Sequence, residues 1–294
     1  MLDYQAAYCF YQVAKLQSFE AAAQALSLTQ SAVSQKVKRL EHSFGAPLLI
    51  RERPIRLTSL GEHLVTHIQK VLLLEDGLLE LFHGSGSEEP LSIAVNNDVL
   101  ATWFVAVLSQ FSDVDSTILQ VKSQDQSKTR ELLQRGDVMA CVCDVGAPVS
   151  GGRSVSLGNM TYELVATPEF VNKHFPNGID ETAVTKLPSL IYDEHDIALW
   201  RRYQQECLWI EADTRKSHWY PSSHGFVALV KSGTVCALIP SVQIKEELSS
   251  GQLISLFPNQ RLKVPLFWHW YELGNPVLER LTKVVQSVTR TVLL

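Results

Sequence analysis

Ser31, Ser34, Gln35 and Lys38 recur so that, at about 100° per residue, they share one side of a helix, with Gln30 and Arg39 at its edges. Glutamine, serine, lysine and arginine are the side chains that bond base edges and phosphate oxygens in a major groove. Thr29, just before the segment, has the side chain for an N-cap. The following stretch LLIRERPIRLT holds Arg51, Arg53 and Arg56, and LLIR and PIRLT can pair as a small hairpin that clamps the flanking backbone. A solvated face on an ordinary helical bundle is the plain alternative. A short preceding helix, the tight Ser27-Leu28 turn and the basic segment behind it together favour a DNA reader, although the turn lacks the expected glycine.

A second constellation lies at the ends of apolar runs. Asn97 and Asp98 close LSIAVNND, and Thr102 opens the next helix. Gln124 and Asp125 close a second run, and Asp144 a third. Asp193 with Glu194, the turn Ser222-Ser223-His224, and the pair Trp268 and His269 fall farther on. If strands end there, these residues face a crevice at the carboxyl ends of a sheet, where α/β proteins hold small ligands. Hydroxyls and backbone donors at the helix start by Ser222 suit a carboxylate. Asp98, Asp144 or Asp193 suits an ammonium or guanidinium. For each residue singly, a helix cap or a solvated side chain is an equal reading. No G-x-S-x-G, G-x-x-x-x-G-K-[ST], H-E-x-x-H or complete G-x-G-x-x-G is present, so the sequence supports no catalytic residue, metal or cofactor site.

These groups need two kinds of support. Ala7, Phe10, Tyr11 and Ala14 predict a first helix, and Phe19, Ala22, Ala23 and Leu26 a second one capped by Ser18. Val33, Val37, Leu40 and Phe44 predict the buried stripe of the third, which Gly45 ends. A long helix from Thr58 to about Phe82 carries a seam of Leu64, Ile68, Val71, Leu72, Leu78 and Leu79, for which a second chain is the economical partner. GSGSEEP then reads as a hinge. Beyond it, apolar runs alternate with helical patterns through DVMACVCDV, TVCALIP and VPLFWHWYEL to a last helix from about Pro276, which predicts βαβ units and a parallel sheet. The expected domains are 1–60, 58–90 and 91–294.

Composition agrees with this division. The chain has 294 residues, 46% hydrophobic and 19% charged, enough for several cores. Residues 1–60 carry +3 and the remainder −8, so a basic head is attached to an acidic body. Cys9, Cys141, Cys143, Cys207 and Cys236 form no C-x-x-C and read as buried thiols. With neither a basic-then-apolar leader nor an apolar run long enough to span a bilayer, a cytoplasmic protein without a membrane partner is expected.

FEAAAQALSLTQSAVSQKVKRLEHSFGAPLLIRERPIRLTSLGEHL resembles the winged helix-turn-helix of LysR-type transcriptional regulators, and the body is similar to that family's throughout. The resemblance implies an α/β chain with an all-α, winged head, a long dimerisation linker helix and a two-lobed, periplasmic-binding-protein-like effector domain. Lobe one would be about 91–162 plus 269–294, and lobe two about 163–268. It implies a homodimer or homotetramer on double-stranded promoter DNA, a small-molecule effector, and RNA polymerase as a further partner. TQSAVSQ, AVNND with LATW, FPNG, Ser222-Ser223 and IP before SSGQLISL resemble the branch that regulates arginine and lysine transport, which points to a basic amino acid. Val99 and His224 depart from that branch, where a serine and an acidic residue are common. An architectural DNA binder without effector response, or an α/β enzyme, is the alternative.

Overall fold

Asp3, Ser18 and Thr29 each accept a backbone N–H three residues on, from Ala6 (3.0 Å), Ala21 (3.2 Å) and Ala32 (3.2 Å). They start α1 (Tyr4–Leu16), α2 (Phe19–Ala25) and α3 (Gln30–Phe44), and Gly45 ends α3 at φ +66°. In this computed structural model residues 2–52, 54–83, 90–124, 126–176, 178–179, 184, 186–193, 196–210 and 217–293 are described. The turn between α2 and α3 needs a left-handed residue, and Ser27 supplies it at φ +52° in place of glycine. Phe10, Val13, Ala22, Val33, Val37 and Leu40 are buried in the head's own core. Phe44 is not: it is 40% exposed, because Leu48 and Leu49 of the next segment fill the core at that end of α3.

The predicted hairpin forms from β1 (Leu49–Ile50) and β2 (Arg56–Leu57), antiparallel with Leu49 opposite Leu57. The long helix α4 (Ser59–His83) starts at Thr58, whose hydroxyl accepts from Gly61 N–H and donates to the Pro47 carbonyl. Its seam divides. Leu64 and Ile68 are buried in the head's core and Leu72 packs against it, whereas Leu78 is exposed, as is Leu74, which lies outside the predicted seam. A second chain is therefore needed only for the outer part of the seam; Leu79 lies outside the described side chains.

In the body, β3 (Leu91–Val95), β4 (Leu119–Ser123) and β5 (Ala140–Cys143) are parallel, as expected from the intervening helices α5 (Asn97–Ala101), α6 (Phe104–Val114) and α7 (Gln126–Arg135). The later strands of this sheet do not continue the parallel pattern. The long β6 (Gly152–Ala166) pairs antiparallel with β9 (Ala237–Pro240), β10 (Ile254–Ser255) and β11 (Leu262–Tyr271), and β11 also pairs antiparallel with β5. The sequence reading missed the first half of β6, since RSVSLGN is small and polar and reads as loop. A second lobe is built on the far half of β6 from α8 (Pro168–His174), β7 (Ser189–Ile191), α9 (Asp196–Arg202), β8 (Ser217–Trp219), α10 (Ser223–Lys231) and α11 (Lys245–Ser250), with β7 parallel to β8. The last helix, α12 (Pro276–Val292), buries Val277, Leu281, Val285 and Val288. None of the five cysteines forms a disulfide, and all but Cys207 are buried. No helix among the described residues is long and apolar enough to cross a membrane.

A Cβ on Gly61 would lie 2.1 Å from the Leu48 carbonyl oxygen, where the first turn of α4 meets the wing. Glycine to alanine in a helix ordinarily gains about 1 kcal/mol. Gly61→Ala should instead lose about 1–3 kcal/mol through overpacking, read by urea unfolding of the full chain; a gain in stability would show that this approach is not tight.

Candidate DNA-reading helix and ligand cleft

Helix α3 is anchored from behind by Val33, Val37 and Leu40, each no more than 2% exposed. In front, Gln30, Ser31, Gln35, Lys38 and Arg39 are exposed and Ser34 is half-buried; Thr29 caps the helix and its hydroxyl is 3.0 Å from that of Ser31. Beside it, Glu41 organises the wing: its carboxylate accepts from the backbone N–H of Leu48 (3.0 Å) and Leu49 (3.3 Å) and from Arg51 (2.9 Å). Arg51 also lies 5.5 Å from the Phe19 ring centre. Its guanidinium is thus held at the edge of the reading face rather than free in a loop. Arg56 pairs with Glu52 at 2.6 Å, both well exposed. Arg53 lies outside the described residues.

The body's candidate site is a cleft of about 220 Å³ between the lobes, into which α5, β6 and α10 deliver side chains. Asp98 stands at its centre, just past β3 on α5. One carboxylate oxygen accepts from the Tyr162 hydroxyl on β6 and the other from Ser223 on α10, each at 2.8 Å. Burial pushes the Asp98 carboxyl above its usual range, and the Tyr162 and Ser223 hydroxyls pull it part of the way back. The Tyr162 phenol is driven well up, by burial first and then by the Asp98 charge. Asp144, Asp193 and Asp196 also line the cleft. Asp196 accepts from Tyr192 N–H (2.8 Å) and Asp193 from Asp196 N–H (3.1 Å), so this wall is a folded turn. Arg202 is the one cation among the described lining residues, against four carboxylates; it pairs with Glu206 at 3.0 Å. Among the described residues no group of three or more His, Cys, Asp or Glu is placed to hold a metal ion.

Of the sequence candidates, Asn97, Asp98, Asp144, Asp193 and Ser223 line this cleft. The others stand elsewhere. Ser222 caps α10 through Gly225 N–H. Thr102 bonds back to the Asp98 and Val99 carbonyls and, with the exposed His224, faces a hollow behind the cleft. Gln124 is exposed. Trp268 is buried in the first lobe with its indole N–H on Thr282, and His269 is buried against the Val145 carbonyl (2.7 Å), because both lie on β11 where it pairs with β5. Asp125 and Glu194 lie outside the described residues. The two branch departures leave the cavity untouched: Val99 packs in the core and His224 faces away. Sequence reasoning missed Tyr162, Tyr192, Asp196, Arg202 and Gln243. Tyr162 sits in the middle of a strand and Arg202 at the end of a helix, so neither carried a strand-end signal.

Residues 4–62 match the model of the bacterial regulatory helix-turn-helix proteins of the lysR family. The HTH-type transcriptional regulator ArgP of Pseudomonas aeruginosa is 38% identical over 286 residues, 96% of this chain and 94% of that protein. The crystal structure of ArgP from Mycobacterium tuberculosis aligns over 98% of both chains, with TM-score 0.88 and 34% identity. Full-length LysG from Corynebacterium glutamicum with bound effector arginine aligns over 98% of both chains, with TM-score 0.79 and 30% identity.

Because the raised carboxyl of Asp98 keeps its proton more tightly in the folded state than in the unfolded chain, it costs stability as pH rises from the ordinary carboxylate range through the raised value. Asp98→Asn should therefore melt higher than the parent at neutral pH without ligand, by about 2–4 °C per kcal/mol relieved. The gap should close as the buffer is acidified. A gap that widens in acid would reverse the assignment.

Proposed function

This chain belongs to the lysR family and is a LysR-type transcriptional regulator, and from that premise we propose that its effector is a cationic amino acid held between the lobes. The observation that carries this is the cleft's charge, four aspartates against Arg202. Ammonium and guanidinium groups find carboxylates on both walls, and Arg202 offers the effector's own carboxylate a partner. Asp98 is the central anchor, since its two present partners are neutral hydroxyls that leave its charge unbalanced. The arginine bound to the similar LysG supports the same chemistry. The α10 start, favoured from sequence for the carboxylate, is occupied: Ser222 caps the helix and Ser223 serves Asp98.

The head reads promoter DNA through Gln30, Ser31, Ser34, Gln35, Lys38 and Arg39. Thr29 caps the reader, and Arg51, Arg53 and Arg56 hold flanking phosphates from the wing. The domains fall at about 1–60, 58–90 and 91–294. Exposed Leu74 and Leu78 on α4 pair with a second chain, which matches a two-fold DNA site. The cleft serves binding and not turnover, and the protein works in the cytoplasm, where its DNA target is.

Footprinting on the promoter upstream of the gene and on transporter promoters, at fixed salt with arginine, lysine or no ligand, should show an effector-dependent pattern. A pattern unmoved by either amino acid would favour the architectural role. Asp98→Asn should keep DNA binding and lose the arginine response, with arginine affinity down about 100-fold. Gln35→Ala should lower site preference by about 1–3 kcal/mol, whereas Arg51→Ala should weaken all sequences alike. Wild-type site choice and affinity in both variants would refute the docking face.

A further inference from the structure

A larger hollow than the cleft, about 430 Å³, lies where the head and linker rest on the first lobe. This is within the ordinary range of small-molecule sites, which favour domain junctions. Its edges are held by close contacts. Gly136, at φ +77°, lies so near α4 that a Cβ would meet Thr66 Cγ2 at 2.3 Å, and Lys70 Nζ stands 4.0 Å from the centre of the Tyr271 ring. Between those contacts, on the same face of α4, Gln69 reaches the hollow, and its amide oxygen is buried with no hydrogen-bond partner. A buried acceptor left unpaired costs about 1–3 kcal/mol, which a donor from a ligand would recover.

The rest of the lining defines that ligand. Leu57 and Leu72 from the head side and Leu91, Met139 and Val277 from the body give apolar walls. The charged groups there, Lys15, Lys122 and Asp137, are of both signs, and Lys122 already donates to the Asp137 carbonyl at 2.8 Å. We propose that this junction is a second small-molecule site, separate from the cleft, for an uncharged, largely apolar molecule carrying one N–H or O–H donor for Gln69. Such a ligand touches head and body together and holds them in the arrangement seen here, a form of control independent of the amino-acid effector.

The test uses the full-length protein and N-phenyl-1-naphthylamine, a neutral aromatic probe with a single N–H whose emission rises when it leaves water. A saturable rise at one probe per chain is expected, undiminished by excess arginine. Gln69→Leu should weaken it about fivefold by removing the acceptor. Gln120→Trp, an exposed strand position on the rim, should weaken it at least tenfold by filling the mouth. Both variants should retain operator binding. The proposal is overturned if the signal does not saturate, if arginine displaces the probe, or if neither variant changes its affinity.

Discussion

The carboxylate of Asp98 is held by hydroxyls from two different parts of the sheet and its helices, Tyr162 on the crossover strand and Ser223 on the second lobe. The lobes meet through this contact, and the cleft takes its character from it. Two neutral donors satisfy the oxygens' geometry but not their charge, so burial is incompletely offset and the proton is held more tightly than in water. A cation entering beside Asp98 would remove that cost. This gives a physical reason for a ligand to favour one lobe arrangement, which any effector-driven change requires.

The head depends on a comparable anchor. Glu41 lies on α3, and its carboxylate holds two backbone N–H groups of the wing and the Arg51 guanidinium. Glu41 thereby ties reading helix and wing together, so that in the proposed docking a phosphate contact through Arg51 would orient Gln35 toward the bases. The Arg51–Glu41 pair is half-exposed and contributes little stability by itself. Its role is geometric.

The head was almost wholly legible in the sequence, because caps at Ser18, Thr29 and Gly45 and apolar spacing are local signals. Phe44 misled for the same reason: periodicity knows nothing of Leu48 and Leu49 folding over the helix end. In the body, elements were legible and their pairing only in part. The parallel β3, β4 and β5 followed from intervening helices, but the antiparallel run of β6 against β9, β10 and β11 is set by contacts far apart in the chain. The cleft shows the same limit. Asn97, Asp98, Asp144, Asp193 and Ser223 end or start elements and announced themselves, whereas Tyr162 is a mid-strand aromatic that only the crossover turns toward Asp98. Trp268 and His269 were misplaced because β11 belongs to the first lobe's sheet beyond the cleft.

That strand also bears on how the cleft can reach the DNA. Val264, near its start, lines the cleft, and Tyr271, at its end, lies under Lys70 of the linker helix. Seven steps of strand span about 23 Å, and β11 pairs with β6 on either side of a register shift at Leu266–Phe267 and with β5 at the far end. A rotation of the lobes about the crossover would be passed along β11 toward the surface on which the linker rests. Geometry of this kind becomes regulation only through a difference in binding energy between two arrangements. Under the proposed function Asp98 would supply that difference at the cleft end, since a cation is worth most where the carboxylate is most fully desolvated. At the other end, the close approach of Thr66 to Gly136 leaves the linker's seat little slack, so a tilt there would have to be accommodated by the linker as a whole.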